Sequence, residues 1–234
     1  RQKLEDCPFF LKAVETNSRK RLPSLLGYLE QEGLTEEVSM ALVDSGWTGS
    51  MQKEICQALG ILGKKERLTG YYWGLYELPK GVKREDYHCY YFSPEAGLRK
   101  KVYFSNSLFE SIFSAPHGMT IGYEKVQGQW RPVYARADEE RKRFLEELEK
   151  ILLEYGRNQG LSMKHIEDPR LIRSRQETEI ALRRFMGKPD FQEAQIFGNL
   201  PFSDDIFDAD DQTAAGKMTE EELKANHVWN KVGK

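Results

Sequence analysis

Cysteine is scarce in this chain. Cys7, Cys56 and Cys89 are the three thiols in 234 residues, far apart and odd in number, which excludes a disulfide framework and a zinc knuckle built on paired spacing. They read as core residues in a reducing, cytoplasmic setting. Histidine is nearly as sparse, and His88, His165 and His227 have no partner spacing that suggests a metal. An excess of one charge is missing too. Thirty-five basic and 37 acidic residues leave a net charge of -2, so there is no general case for nucleic acid or an anionic membrane. No apolar run approaches the length of a membrane span. No stretch reads as a signal peptide, and the chain opens on Arg1 rather than Met; the expectation is a piece cut from a longer protein. Neither G-x-G-x-x-G nor a phosphate loop with its lysine occurs, G-x-S-x-G is absent, and no internal repeat is visible.

What is present is a globular composition, 39% hydrophobic and 31% charged, and one informative stretch, Val38 to Leu59. It begins with the apolar run Met40-Ala41-Leu42-Val43, which reads as a buried strand ending at an acid, Asp44. The turn Ser45-Gly46-Trp47-Thr48-Gly49 follows, and Ser50 starts a helix with Met51, Ile55, Ala58 and Leu59 on its apolar side. A strand that turns through glycines into a helix presents free amides where the helix dipole favours an anion, often phosphate. Thr48 and Ser50 would add hydroxyl donors, and Asp44 would orient a sugar hydroxyl or a metal ion. The plainer reading is an ordinary strand–helix connection in which the glycines turn, Ser50 or Thr48 caps and Trp47 packs.

The rest of the pattern supplies a frame. Residues 1–21 read as a short helix and a loop, and Leu22 to Leu29 as a second helix with Pro23 in its first turn and Gly33 ending it. Arg67 to Tyr76 and Tyr87 to Phe92 read as strands, and Leu98 to Phe104 as a further short one. Ser105 or Asn106 would cap a helix carrying Leu108, Phe109, Glu110, Ile112 and Phe113. After the break at Pro116-His117-Gly118, Thr120–Tyr123 and Trp130–Tyr134 form a hairpin through Gln127-Gly128. Asp138 opens a long helix with a stripe of Phe144, Leu145, Leu148, Ile151, Leu152 and Tyr155. Asp168-Pro169 opens another through Ile180 and Phe185, a short one runs from Phe191 to Phe197, and Thr219 to Glu222 suggests a last capping box.

Three strings in order, VDSGWTGSMQ, GYYWGLY and FESIFSAPHGMTIGYEK, carry a resemblance. With FMGKPDFQEAQIFGNLPFSDD they resemble the region downstream of the phosphatase-like module in bacterial predicted hydrolases of the haloacid dehalogenase type, associated with surface polysaccharide synthesis. The likeness spans roughly residues 22 to 205, with Ser45 and Met119 departing from the family strings. It implies a phosphorylated sugar or nucleotide sugar as ligand, with a glycosyltransferase or a phosphatase-like module as partner. Asp208 and Asp210 have the spacing of that family's catalytic acids but lack the preceding strand, so they read as an acidic solvated loop.

The expectation is therefore an α/β domain over 1–160, a mainly parallel sheet flanked by helices, followed by a helical extension and acidic tail over 161–234. Asp44, Glu110 and His117 are the candidate catalytic groups. Gly46, Trp47, Thr48, Gly49, Ser50, Gln52 and Tyr123 are the candidate ligand contacts. No cofactor or metal is assigned. The competing expectation is a scaffold that joins a phosphatase-like module to a glycosyltransferase, in which these residues serve the fold.

Overall fold

The computed structural model describes residues 6–64, 68–137, 139–163 and 175–202, with positions 4, 212, 213 and 221. In chain order the elements are α1 (Pro8–Gln31), β1 (Ala41–Trp47), α2 (Ser50–Ile61), β2 (Thr69–Leu75), β3 (Tyr87–Phe92), α3 (Leu98–Val102), α4 (Asn106–Ile112), β4 (Thr120–Val126), β5 (Gln129–Tyr134), α5 (Glu139–Met163), α6 (Arg175–Gly187), α7 (Phe191–Gly198), β6 (Pro201–Phe202) and β7 (Gln212–Thr213). A single 3-10 turn, Arg84–Asp86, precedes β3. The fold is α/β: a parallel three-stranded sheet in the order β1-β2-β3, an antiparallel pair β4-β5, and helices that continue toward the C-terminus. The expected helix starts at Asp138 and Asp168, the capping box at Thr219, His165 and His227, and Asp208 and Asp210 lie outside the described residues.

By packing, the chain divides into two units. The first takes Arg1–Val102, His117–Asp138 and Arg173–Glu179; the second takes Tyr103–Pro116, Glu139–Ile172 and Ile180–Lys234.

In the first unit β1 and β2 run in parallel register from Ala41 opposite Thr69 to Trp47 opposite Leu75. Between these strands the chain forms α2, whose Gln52, Ala58 and Leu59 are buried. On that side Tyr72, Leu75 and Tyr87 form a core cluster, with Cys89 packed against it. The other side of the sheet is exposed in its first rows and covered toward the strand ends, where Trp47 packs on the buried Phe92. Val43 is 82% exposed and sits in register between solvent and Tyr71, which is itself exposed and opposite His88. The apolar run ending at Val43 is thus not the buried strand its composition suggests; its side chains alternate between partly covered and open positions. The strand also runs on through Asp44 to Trp47.

The N-terminal reading is corrected in a second place. Residues 8–31 form one continuous helix with Pro23 inside it. The first-turn proline is Pro8, which follows Cys7 and gives up an amide that has no intrahelical partner in any case. Pro23 removes a donor from the helix interior, where substitution of a non-proline normally restores it. At the C-terminal end, Gly33 at φ +81° lets the Leu34 amide reach back to the Leu29 carbonyl at 3.0 Å, closing the helix as expected. The second half of α1 packs on the β4-β5 hairpin, whose turn residues Gln127 and Gly128 both have positive φ. Such a turn matches the twist of the flanking strands.

A third correction concerns Leu98 to Val102, read as a strand but folded as α3. In the second unit the α4 start is as expected: the Ser105 hydroxyl accepts from the Leu108 amide at 3.3 Å. Helix α7 opens with a reciprocal capping box, in which Asp190 and Glu193 exchange two 2.8 Å bonds. Phe185 and Phe197 meet edge to face at 4.9 Å. The stripe on α5 is buried at Leu145 but exposed at Ile151 and Tyr155.

Candidate functional site

The strand–turn–helix stretch forms at the carboxyl ends of β1 and β2, where open parallel sheets commonly hold ligands. Its shape is set by close backbone approach. Gly46 has φ +135°, and a Cβ there would lie 1.8 Å from the Gly74 carbonyl oxygen. The two glycines are register partners, and a Cβ on Gly74 would in turn meet the Phe92 ring at 2.6 Å. Gly49, at φ +64° and buried, leads into α2; its missing Cβ leaves room for the Tyr87 ring. Left-handed backbone of this kind is the province of glycine.

Helix α2 begins without a side-chain cap. Thr48 and Ser50 stand exposed with their hydroxyl oxygens 3.2 Å apart, a pair in which either atom donates. First-turn amides plus two exposed hydroxyls are a set of donors suited to an anion. Asp44 does not face them as a free acid. Its Oδ1 accepts from the Gly46 amide at 3.1 Å and from the Ser45 hydroxyl at 3.3 Å. That is the local side-chain-to-backbone pattern by which aspartate fixes a turn. Its charge also helps to raise the pKa of its register partner Tyr72, after burial and Tyr87.

Gln52 belongs to the interior, and Trp47 is half-buried. Gln52 is 2% exposed, and its amide nitrogen donates to the Leu68 carbonyl at 2.7 Å and the Asp86 carbonyl at 3.1 Å. Its oxygen accepts from the Tyr72 hydroxyl at 2.7 Å. One side chain thus ties α2 to the start of β2, to β2 itself and to the turn before β3. Trp47 stacks toward Phe92, with centroids 6.3 Å apart, and its carbonyl accepts from the Tyr76 amide.

The contacts of His117 and Tyr123 are made with the hairpin and α1. His117 is exposed, with its ring stacked on Tyr134 at 3.9 Å and Nδ1 2.9 Å from the Gly118 carbonyl. The adjoining Gly118 is pressed against Ala135, whose oxygen would lie 2.1 Å from a Cβ. Tyr123 stacks on Tyr28 at 4.3 Å, and burial raises the pKa of both hydroxyls. These contacts belong to the packing of the hairpin and α1. Glu110 is carried by α4 in the second unit.

Two cavities are described, and neither is lined by these residues. A cleft of about 360 Å³ lies at the amino ends of β1 and β2, lined by Glu37, Val38, Ser39, Met40, Leu59, Leu68 and Thr69. A smaller one of about 180 Å³ in the second unit is largely apolar, between Leu108, Phe185, Met186, Ala194 and Phe197. The first had no signal in the sequence, because its walls come from the ends of separate elements. Among the described residues no group of three His, Cys, Asp or Glu is placed to hold a metal ion, and no helix is long and apolar enough to cross a membrane. Comparison with known proteins adds no relative: no protein-family model matches the chain, and no curated protein matches it.

Proposed function

We propose that this chain is a phosphate-group-binding module of a hydrolase system in bacterial surface polysaccharide synthesis. It holds a sugar phosphate or nucleotide sugar by its phosphate at the Gly46–Ser50 turn. The observation that carries the reading is the uncapped start of α2, with the Thr48 and Ser50 hydroxyls exposed beside it. The likeness of VDSGWTGSMQ and APHGMTIGY to the haloacid-dehalogenase-type strings supplies the polysaccharide context. Any hydrolytic step belongs to a phosphatase-like module outside this chain. Asp44, in this reading, shapes the turn rather than reacting.

The test is calorimetric titration of inorganic phosphate, a hexose 1-phosphate and a UDP-hexose into the wild type and Ser50→Asp. A carboxylate at that position occupies the first-turn amides and stabilises the helix by about 0.3–1 kcal/mol. The variant therefore stays folded and loses binding. No binding by the wild type, or equal binding by both proteins, overturns the proposal.

A second reading is a scaffold that joins a phosphatase-like module to a glycosyltransferase. It is favoured by the internal engagement of Asp44, Trp47 and Gln52. Under it the wild type binds none of the three ligands, yet retains a partner protein when the Thr48 and Ser50 hydroxyls are removed.

A further inference from the structure

The smaller cavity lies wholly within the second unit. Its volume is about 180 Å³, and it opens between the start of α4, the end of α6 and helix α7. Its apolar walls are Leu108, Phe185, Met186, Pro189 and Phe197, with Ala194 on α7. The side chains that frame it already have partners. The Ser105 amide donates to the Met186 sulfur at 3.3 Å, which ties the end of α6 to the start of α4. The Phe185 and Phe197 rings meet edge to face at 4.9 Å, which ties α6 to α7. Apolar cavities of about 150 Å³ take up benzene, so this one has room for a single six-membered ring and a short arm. Aromatic walls and a thioether favour a ring over an alkyl group of the same volume, through edge-to-face and sulfur–ring contacts. A ring also loses less internal freedom than a chain when it is enclosed.

One charged side chain lines the same space. Glu193 is half-buried in the first turn of α7. Its Oε2 accepts from the Asp190 amide at 2.8 Å in the capping box. Among the described residues Oε1 accepts from nothing, and no cation pairs with the carboxylate. An ionised carboxylate has room for several donors and bonds most strongly to a charged one. We propose that the cavity binds an arylalkylammonium ion, its ring against Phe185, Met186 and Phe197 and its ammonium on Oε1 of Glu193. Charge complementarity selects this class, since a ring carrying a carboxylate or a phosphate would meet Glu193 as a like charge. The benzylammonium ion, with one carbon between ring and nitrogen, is the size the cavity admits. The Gly46–Ser50 turn belongs to the other unit and takes the opposite charge, so the fate of the phosphate reading does not bear on this one.

The experiment is an NMR titration of the whole chain, isotope-labelled at its methionine methyl groups. The Met186 signal is identified by its loss in Met186→Leu. Benzylammonium chloride and its neutral counterpart, benzyl alcohol, are titrated separately. Both shift the Met186 signal to saturation, benzylammonium at the lower concentration. Glu193→Gln keeps an acceptor for the capping box and removes the charge. It weakens benzylammonium binding by about tenfold or more and leaves benzyl alcohol binding as it was. Ala194→Phe fills the space and abolishes both, with helix content by circular dichroism as in the wild type. A wild type whose Met186 signal does not saturate with benzylammonium overturns the proposal. So does a Glu193→Gln protein that binds benzylammonium as tightly as the wild type, or a folded Ala194→Phe protein that still binds. Where Ala194→Phe does not fold, the comparison of Glu193→Gln with the wild type decides alone.

Discussion

At the scale of single residues, the side chain that matters most to the site region is one that its chemistry made easy to misread. Gln52 follows a glycine turn at a helix start, which is where a ligand-binding amide is expected, yet it is spent on two carbonyls and a tyrosine hydroxyl. Gln52→Leu keeps the volume and strands those three partners away from water. The expected loss is about 2–4 kcal/mol, seen as a lower urea midpoint with an unchanged slope. Gly46 and Gly49 were legible as turn residues because positive φ leaves a mark in the sequence. The partners of Gln52 were not, because they come from positions 16, 20 and 34 residues away. The same holds for His117: its proximity to Gly118 is local, but its stacking on Tyr134 is a property of the hairpin.

At the scale of elements, the sequence was most readable where local chemistry decides the outcome. The hairpin turn, the Ser105 cap, the α2 start and the end of α1 at Gly33 all follow from one or two residues. It was least readable where packing overrides local preference. Pro23 signals a helix start, but the hairpin contacts from Arg21 onward hold the helix together through it. That makes a sharp expectation. Pro23→Ala restores the missing amide and removes a ring from the helix interior, and raises stability by about 1–3 kcal/mol. Calorimetry reads it as a higher Tm. A fall instead would mean that the ring has packing contacts worth more than the hydrogen bond. Leu98 to Val102 is a comparable case: a short apolar-and-basic segment of five residues with no strong helical periodicity to mark it.

At the scale of the whole molecule, the α/β class and the parallel pairing of the first strands were legible, because strand–turn–helix–strand spacing leaves few arrangements. Which polar residues share a surface was not, since that depends on tertiary placement. The tyrosines give the molecule a directional pH response. Burial raises the pKa of Tyr28, Tyr72, Tyr87 and Tyr123 above the ordinary tyrosine value of 10.0. Below that value folded and unfolded chains both keep the phenol protons, and stability is complete. As pH climbs past about 10 the unfolded chain releases them while the folded one holds on, so stability drains away until the folded groups ionise too. Tm measured from about pH 9 to pH 11 should fall steadily, and Tyr72→Phe should flatten part of the decline.

The three parallel strands have one well-covered side and one exposed around Val43, Tyr71 and His88, and among the described residues β2 is the one of the three with a neighbour on both edges. Peeling β1 or β3 away breaks the bonds on one edge of β2 and leaves those on the other, so freeing the whole of β2 takes the sheet apart. In deuterium exchange, then, the amides of Gly70 to Gly74 should be the last in the first unit to take up label. Protection in β1 matching that of β2 would mean that something else shelters the outer edge.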